Sequence, residues 1–252
     1  VLFLVFYGPY LWWKIYLQKV PPPKREAKRT ILKMKDFFVT GWDSGKKRWE
    51  VLVGNLERCM ETGVSQFFNL SQGKIFEENK WRWSFRAEKG EWRSNEKILI
   101  LQGDFCVAGQ KREDGIISGS QLIWNYQSEK VNIDQPFYIE LEDVYINAGR
   151  GEGNLKEERW VLSNVNLWWK KDNYLTASEL FWEGKNKFIY SHQRVQLKYK
   201  SGRIRAGNMR YYIDDKYVVF GNNIELWDDS EGYIKCKELL YYPDEDRFQT
   251  KG

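Results

Sequence analysis

The sequence predicts an all-β protein, an elongated, twisted antiparallel β-jellyroll assembled from stacked units of about 29 residues and preceded by one N-terminal transmembrane helix. Three observations carry that prediction. From residue 33 onward no ten-residue stretch holds a clean 3.6-residue apolar period, whereas alternation with a period of two recurs throughout. Aromatic residues, 13 Trp among them, make up 17% of a chain in which 30% of residues are charged, a mixture that suits strands with one face of rings and one of charge. Finally, one spacing of turn and apolar residues returns four times.

Two segments display the alternation most plainly. WRWSFRA at 81–87 puts Trp81, Trp83, Phe85 and Ala87 on one face, and RVQLKYK at 194–200 separates Val195, Leu197 and Tyr199 from Arg194, Gln196, Lys198 and Lys200. The recurring pattern is a turn residue, a Leu or Met seven positions later, and an aromatic two beyond that. Its copies are Gly115–Leu122–Trp124, Asn173–Leu180–Trp182, Gly202–Met209–Tyr211 and Gly232–Leu239–Tyr241. The starts are 58, 29 and 30 residues apart, so one copy is diluted near residues 141–153. Each unit holds two apolar runs split by a polar turn, such as RIRAGNMRYY and KYVVFGNNIELW, which reads as a hairpin-like module. Such modules cannot close a core alone. They stack around one apolar interior and leave edge strands to which another chain can add.

Residues 1–13, VLFLVFYGPYLWW, are apolar apart from the turn formers Gly8 and Pro9, and Trp12, Trp13, Lys14 and Tyr16 form the band with which a membrane helix meets an interface. A span needs roughly 20 apolar residues, so residues 1–20 are read as the second half of a single transmembrane helix whose first half is expected upstream of Val1. A signal peptide, a buried core helix and an interfacial helix are the alternatives. The first lacks a small-residue cleavage site, and the second leaves the Trp-Trp-Lys end unexplained. The basic run Lys24, Arg25, Lys28, Arg29 would, by the positive-inside rule, favour the cytoplasm for the side that follows. Pro21, Pro22 and Pro23 open a stiff linker over 21–32. The β region then divides into 33–158 and 159–252.

The 40 Lys plus Arg against 35 Asp plus Glu give +5 spread over the whole length, without the continuous basic stripe of a nucleic-acid binder. Cys59, Cys106 and Cys236 are odd in number and far apart, which offers neither a metal-ligand spacing nor a disulfide framework; free thiols are expected. His192 is the only histidine, and there is no Gly-x-Ser-x-Gly, phosphate loop or His/Cys ligand set. Gly149-Arg150-Gly151-Glu152-Gly153 lacks the spacing and following helix of a nucleotide fingerprint and reads as a glycine-rich turn or bulge. The acidic groups Asp214–Asp215, Asp228–Asp229 and Asp244–Glu245–Asp246 read as solvated turns. No catalysis, cofactor or metal is therefore expected.

Specific residues also resemble a family. DFFVTGWDSGKKRWEVLVGNLE at 36–57 has its strand, Gly-containing turn and strand, and GVSQFF at 63–68 its aromatic pair. RWSFRAEKGEW at 82–92 is similar to a Trp-Ser-x-x-Ala-x-x-Gly signature, and KILILQGDFCVAG at 97–109 to a leucine-rich strand running into Gly-x-Val. DGIISGSQLIWNYQSEKVNIDQPFYIE at 114–140 and YINAGRGEGNL at 145–155 follow in the same order. Together these resemble LptC, over residues 36–155, while the rest looks like additional repeats of the OstA/LptA type.

That resemblance implies a non-enzymatic, single-pass inner-membrane protein with its bulk in the periplasm. It implies an LptA-like fold, lipopolysaccharide as cargo, the LptF and LptG permease subunits of the LptB-driven ABC transporter as partners, and LptA or LptD joined by strand addition at the C-terminal edge. Lipid transfer needs cover for acyl chains, each CH₂ being worth about 0.8 kcal/mol. The same-face series offers it: Trp83, Phe85, Leu122, Trp124, Leu180, Trp182, Leu197, Tyr199, Met209, Tyr211, Leu239 and Tyr241, with Phe67 near the entrance by resemblance. Two arrangements fit these residues, an open groove and a closed core that the rings fill. Arg194, Lys198, Arg203 and Arg205 could meet lipid phosphates at a groove rim, but read better as ordinary surface charge. The competing function is a membrane-anchored carbohydrate-binding or adhesive β-module with no transport role, its rings facing outward.

Overall fold

The computed structural model describes residues 31–78, 80–110, 115–169, 173–229 and 232–251. The expected membrane helix, and the linker up to residue 30, lie outside the described residues. Among those described, no helix is long and apolar enough to cross a membrane.

Among the described residues, eighteen strands belong to one sheet. β1 (Ile31–Asp43), β2 (Lys46–Cys59), β3 (Val64–Glu77), β4 (Lys80–Arg93), β5 (Ile98–Gly109) and β6 (Ile116–Asn125) pair antiparallel in sequence order. β7 (Lys130–Ile133) and β8 (Phe137–Leu141) are halves of one bent strand, since both lie between β6 and β9 (Val144–Asn154). β10 (Arg159–Trp169) and β11 (Asn173–Glu183) follow. The pairs β12 (Phe188–Ser191) with β13 (Val195–Tyr199), and β14 (Gly202–Ala206) with β15 (Asn208–Tyr212), are again half-strands. β16 (Tyr217–Asp228), β17 (Gly232–Tyr242) and β18 (Arg247–Lys251) complete the meander.

The bends align across the sheet in one corner line. Backbone in the left-handed region marks it at Asn69, Gln72, Asp104, Asn164, Asn222 and Asn223, mostly the Asn and Asp types that tolerate that conformation. Register shifts mark it at Leu70/Gly73, Arg86/Lys89 and Gln102/Phe105, and strand breaks at 134–136, 192–194 and Gly207. Two corners two units apart carry the same hydrogen bond, Ser120 Oγ donating to Gln135 Oε1 and Ser178 Oγ to Gln193 Oε1. Each corner inserts a residue, so the alternation changes phase there. In β10, Trp160 and Leu162 point inward before Asn164, and Val165, Leu167 and Trp169 after it.

Folding along the corner brings two rims of hairpin turns towards each other. One rim holds the turns after β1, β3, β8 and β13; the other holds those after β4, β6, β9, β11, β15 and β17. Turns on the second rim each contain a left-handed residue: Lys97, Glu129, Glu158, Lys187, Lys216 and Asp246, spaced 32, 29, 29, 29 and 30 residues apart. The frame is thus unbroken through the diluted copy, which is β9. There the Leu and aromatic positions are Gly151 and Gly153, and the glycine run is strand interior, not a turn, with a one-residue slip against β7 and β8 between Ala148 and Gly151 that matches the bulge alternative. Steric crowding explains them: a Cβ on Gly151 would sit 2.5 Å from the Phe137 ring, and one on Gly153 2.4 Å from the Trp160 indole. Neighbouring rings fill the space that these two positions leave.

One buried apolar cluster runs from Val39 to Tyr241. One expectation fails at Trp81, which is exposed. Phe76 pairs with Trp81 while Ile75 pairs with Trp83, so Arg82 is an extra residue on β4; this bulge turns Trp81 outward.

Candidate functional site

All thirteen residues of the same-face series are buried, from 0% exposure at Phe67, Leu180 and Leu239 to 7% at Trp83 and Tyr211, and all belong to the single cluster. Phe67 lies within it, edge-on to Trp49 at 6.3 Å. Sequence spacing missed Trp49, Phe105, Phe137, Trp160, Trp169 and Phe220, which line the same interior. Their alternation is present in the sequence, but only once the phase change at each corner is counted.

The interior is packed. A gap among Phe85, Leu99, Leu122, Trp124, Leu155 and Trp160 measures about 10 Å³, the least that one water requires. Larger spaces lie where the rims approach. A cleft of about 400 Å³ lies between Lys46, Arg48 and Glu78 on one side and Gln127, Glu129 and Glu157 on the other. A second, about 120 Å³, is lined by Arg82, Trp83 and Leu141 opposite Glu158, Trp182, Lys187 and Ile213. A third, about 20 Å³, joins Glu142, Val144 and Trp169 to Tyr211, Ile213 and Asp244. These clefts form a seam.

A few side chains clasp the seam. Arg48 pairs with Glu129 and donates to the Tyr126 carbonyl at 3.0 Å. Arg82, brought to the rim by its bulge, pairs with Glu158 and, at 2.8 Å, with Glu77. Further along, Trp169 stacks on Tyr211 at 5.9 Å, and the Tyr241 hydroxyl meets Asn173 Oδ1 at 2.8 Å. Burial, reinforced by Asp244, Asp143 and Glu142, pushes the Tyr211 phenol up to about 12. Burial likewise raises Tyr199, reinforced by Asp228, and Tyr241, reinforced by Asp246. Among the described residues, the indole N–H groups of Trp49, Trp124 and Trp169 are buried without a hydrogen-bond partner, an unusual condition for a buried donor.

The four cations weighed for a groove rim sit on the outer surface, in keeping with their reading as ordinary surface charge. Lys198, Arg203 and Arg205 alternate with buried Leu197, Ile204 and Ala206 and so face outward, while Arg194 is exposed at the break between β12 and β13. His192 is exposed at that break beside Phe181 and Tyr190, and Cys59, Cys106 and Cys236 are free. Among the described residues, no group of three or more His, Cys, Asp or Glu is placed to hold a metal.

Comparison with known proteins gives a family match over residues 1–166, to a model described as lipopolysaccharide-assembly, LptC-related. Among solved structures, LptH of Pseudomonas aeruginosa, described as the LptA-homologous periplasmic component of the lipopolysaccharide transport device, is 13% identical with a TM-score of 0.37. That match covers 42% of this chain and 80% of LptH. No curated protein matches. With the family match spanning more than half of its length, the chain belongs to the LptC-related family of lipopolysaccharide-assembly proteins and has a role in lipopolysaccharide transport.

Proposed function

We propose that the chain passes lipopolysaccharide by admitting its acyl chains between the two rims, into the interior lined by the thirteen residues above, without chemical change. The carrying observation is the seam. A continuous apolar interior is bounded along one side by turns rather than strand pairing, and a handful of clasps hold it shut. Parting turns breaks no backbone ladder, whereas parting strands would. Opening exposes apolar area, which an entering acyl chain covers again at about 0.8 kcal/mol per CH₂. The unpartnered indoles of Trp49, Trp124 and Trp169 are donors suited to the ester and amide carbonyls that accompany such chains.

In this reading residues 1–20 anchor the chain in the inner membrane and the linker over 21–32 lifts the β region into the periplasm. Region 33–158 receives lipid from the LptF and LptG subunits of the LptB-driven transporter. The repeats at 159–252 extend the path towards LptA or LptD, joined at the C-terminal edge.

Photocrosslinkers at Trp124, Leu180 and Tyr211 test the path. Covalent capture of lipopolysaccharide at these positions is the expected result, and failure at all three in folded protein sinks the proposal. A short bis-maleimide joining Arg82→Cys to Glu158→Cys should abolish capture by locking the seam; unchanged capture would place entry elsewhere.

A further inference from the structure

A different surface is built on the outside of the sheet. Cross-strand pairing sets outward side chains of β10, β11, β13, β14, β16 and β17 in two adjacent rows. The first runs Trp168, Tyr174, Lys198, Arg203, Trp227, Tyr233. The second continues from Asn166 through Thr176, Gln196 and Arg205 to Glu225. With strands about 4.8 Å apart, six of them span roughly 24 Å. From Tyr174 to Tyr233 the rows floor an open concavity of about 890 Å³.

Three kinds of side chain meet there. Rings come first: Trp168 lies 5.2 Å from Tyr174, Trp227 lies 5.2 Å from Tyr233, and Tyr233 is 49% exposed. Such rings offer flat apolar faces with a polar edge. Amides come second. Asn is depleted in strands, yet Asn147 and Asn166 pair with each other in strand interiors, away from the left-handed corner positions, and Thr176 and Gln196 continue their row. An amide both donates and accepts, as a sugar hydroxyl does. Asn166 Oδ1 accepts from the Tyr174 hydroxyl at 2.6 Å, which ties the amide row to the ring row, while Thr176 and Gln196 line the concavity.

Cations come third. Lys198, Arg203 and Arg205 make no ion pair with a carboxylate among the described residues, and the two guanidiniums lie over Trp227 at 4.7 and 5.2 Å. Nearby carboxylates are engaged: Asp228 accepts from the Tyr199 and Ser201 hydroxyls, and Glu225 lies 3.9 Å from Lys235 Nζ. Asp229 stands at the turn end of the concavity.

We propose that this outer face binds an acidic saccharide chain, with rings stacking on sugar C–H faces, amides meeting hydroxyls, and Arg203, Arg205 and Lys198 meeting the anionic groups. The ligand is a free glycan rather than a lipid carried inside. The buried partners of these outward residues, Leu175, Leu197, Ile204 and Leu226, put the thickness of the sheet between this face and the interior. The inference is independent of the seam.

The test titrates the full chain with oligogalacturonate, reading Trp fluorescence and heat. Saturable binding is expected, weakened at least tenfold by Trp227→Ala and by Arg203→Ser with Arg205→Ser, in variants whose thermal unfolding and lipid capture are unchanged. Uncharged cello-oligosaccharide should bind at least tenfold more weakly. No saturable binding, full binding by both variants, or equal affinity for the neutral sugar overturns the proposal. Equal affinity for polyglutamate or DNA overturns it too, leaving only a general anion surface.

Discussion

The strands before Pro136 and those after it make the same bend with different devices. In β1 to β6, strands of 10 to 14 residues pair with a register shift in each of five consecutive pairings, although that of β1 with β2, at Gly41/Trp42, lies beside the turn and β1 bends at a left-handed Asp36. In the pairings of β10 with β9 and β11 there is no register shift, a left-handed Asn164 marks the corner, and the later strands bend by breaking at 192–194 and Gly207 or, in β16, by a shift at Gly221/Ile224. Bulges absorb extra residues, so the first region tolerates longer units: Ser44 and Glu78, equivalent turn residues, are 34 apart. Each break also takes up one residue, Phe181 pairing with Tyr190 but Ala177 with Val195, yet the second region holds its 29-residue frame because its strands are no longer than that frame allows. The difference predicts that substitutions are felt rigidly in the second region and accommodated more readily in the first.

The largest effect should come from the glycine strand. Trp160→Ala should cost about 3–5 kcal/mol and Gly153→Leu about 1–3 kcal/mol in urea unfolding. The pair together should cost less than the sum by at least about 1 kcal/mol, because the second substitution fills what the first empties. Strict additivity would mean that Trp160 does not occupy the space over Gly153.

Next comes pH in the second region, where buried tyrosines have raised pKa values. Tyr211 has its pKa raised above the ordinary 10.0, so its contribution is complete below pH 10 and is lost as pH rises through about 12. A shift of that size corresponds to roughly 3 kcal/mol. Tyr199 and Tyr241, shifted in the same direction, add to the alkaline loss. Tyr211→Phe should flatten the decline in denaturation midpoints measured between pH 9 and 12; an unchanged slope would remove Tyr211 as its source.

Smaller still is the corner. Asn164→Ala should destabilise by about 1 kcal/mol and Asn164→Gly by nothing measurable, since only the first meets the left-handed penalty. Arg82→Ala should likewise cost little stability, below about 1 kcal/mol because the ion pair is partly solvated. That variant should nonetheless raise the rate of lipopolysaccharide capture, separating the clasp's effect on entry from its effect on folding.

Much of this architecture was legible because alternation and turn chemistry are local. Val195, Leu197 and Tyr199 fall inward as their spacing requires, and the spacing from Asn173 to Gly232 reports the regular region directly. Trp81 failed because a bulge is decided by what the partner strand needs, and Arg82 gained its place at the seam for the same reason. The glycines of β9 were legible only as a turn or bulge, because their cause is the volume of Phe137 and Trp160, which no spacing within β9 reveals. Lys198, Arg203 and Arg205 were recognised as a basic set, but a rim and an outer face differ only by which way the sheet folds. The interior series was found as a face. Whether that face closes depends on turns far apart in the chain.

Those distant turns carry a consequence for how the chain reaches its native state. Strand pairings join neighbours and can zip from many starting points, whereas the clasps join residues 78, 76 and 68 positions apart, Arg48 to Tyr126, Arg82 to Glu158 and Asn173 to Tyr241. Contacts of such separation pay the most chain entropy and form late. Closure of the interior is therefore expected as the final event of folding and the first of unfolding, so a nearly complete sheet with its rims apart lies on the same coordinate as the state that would admit cargo.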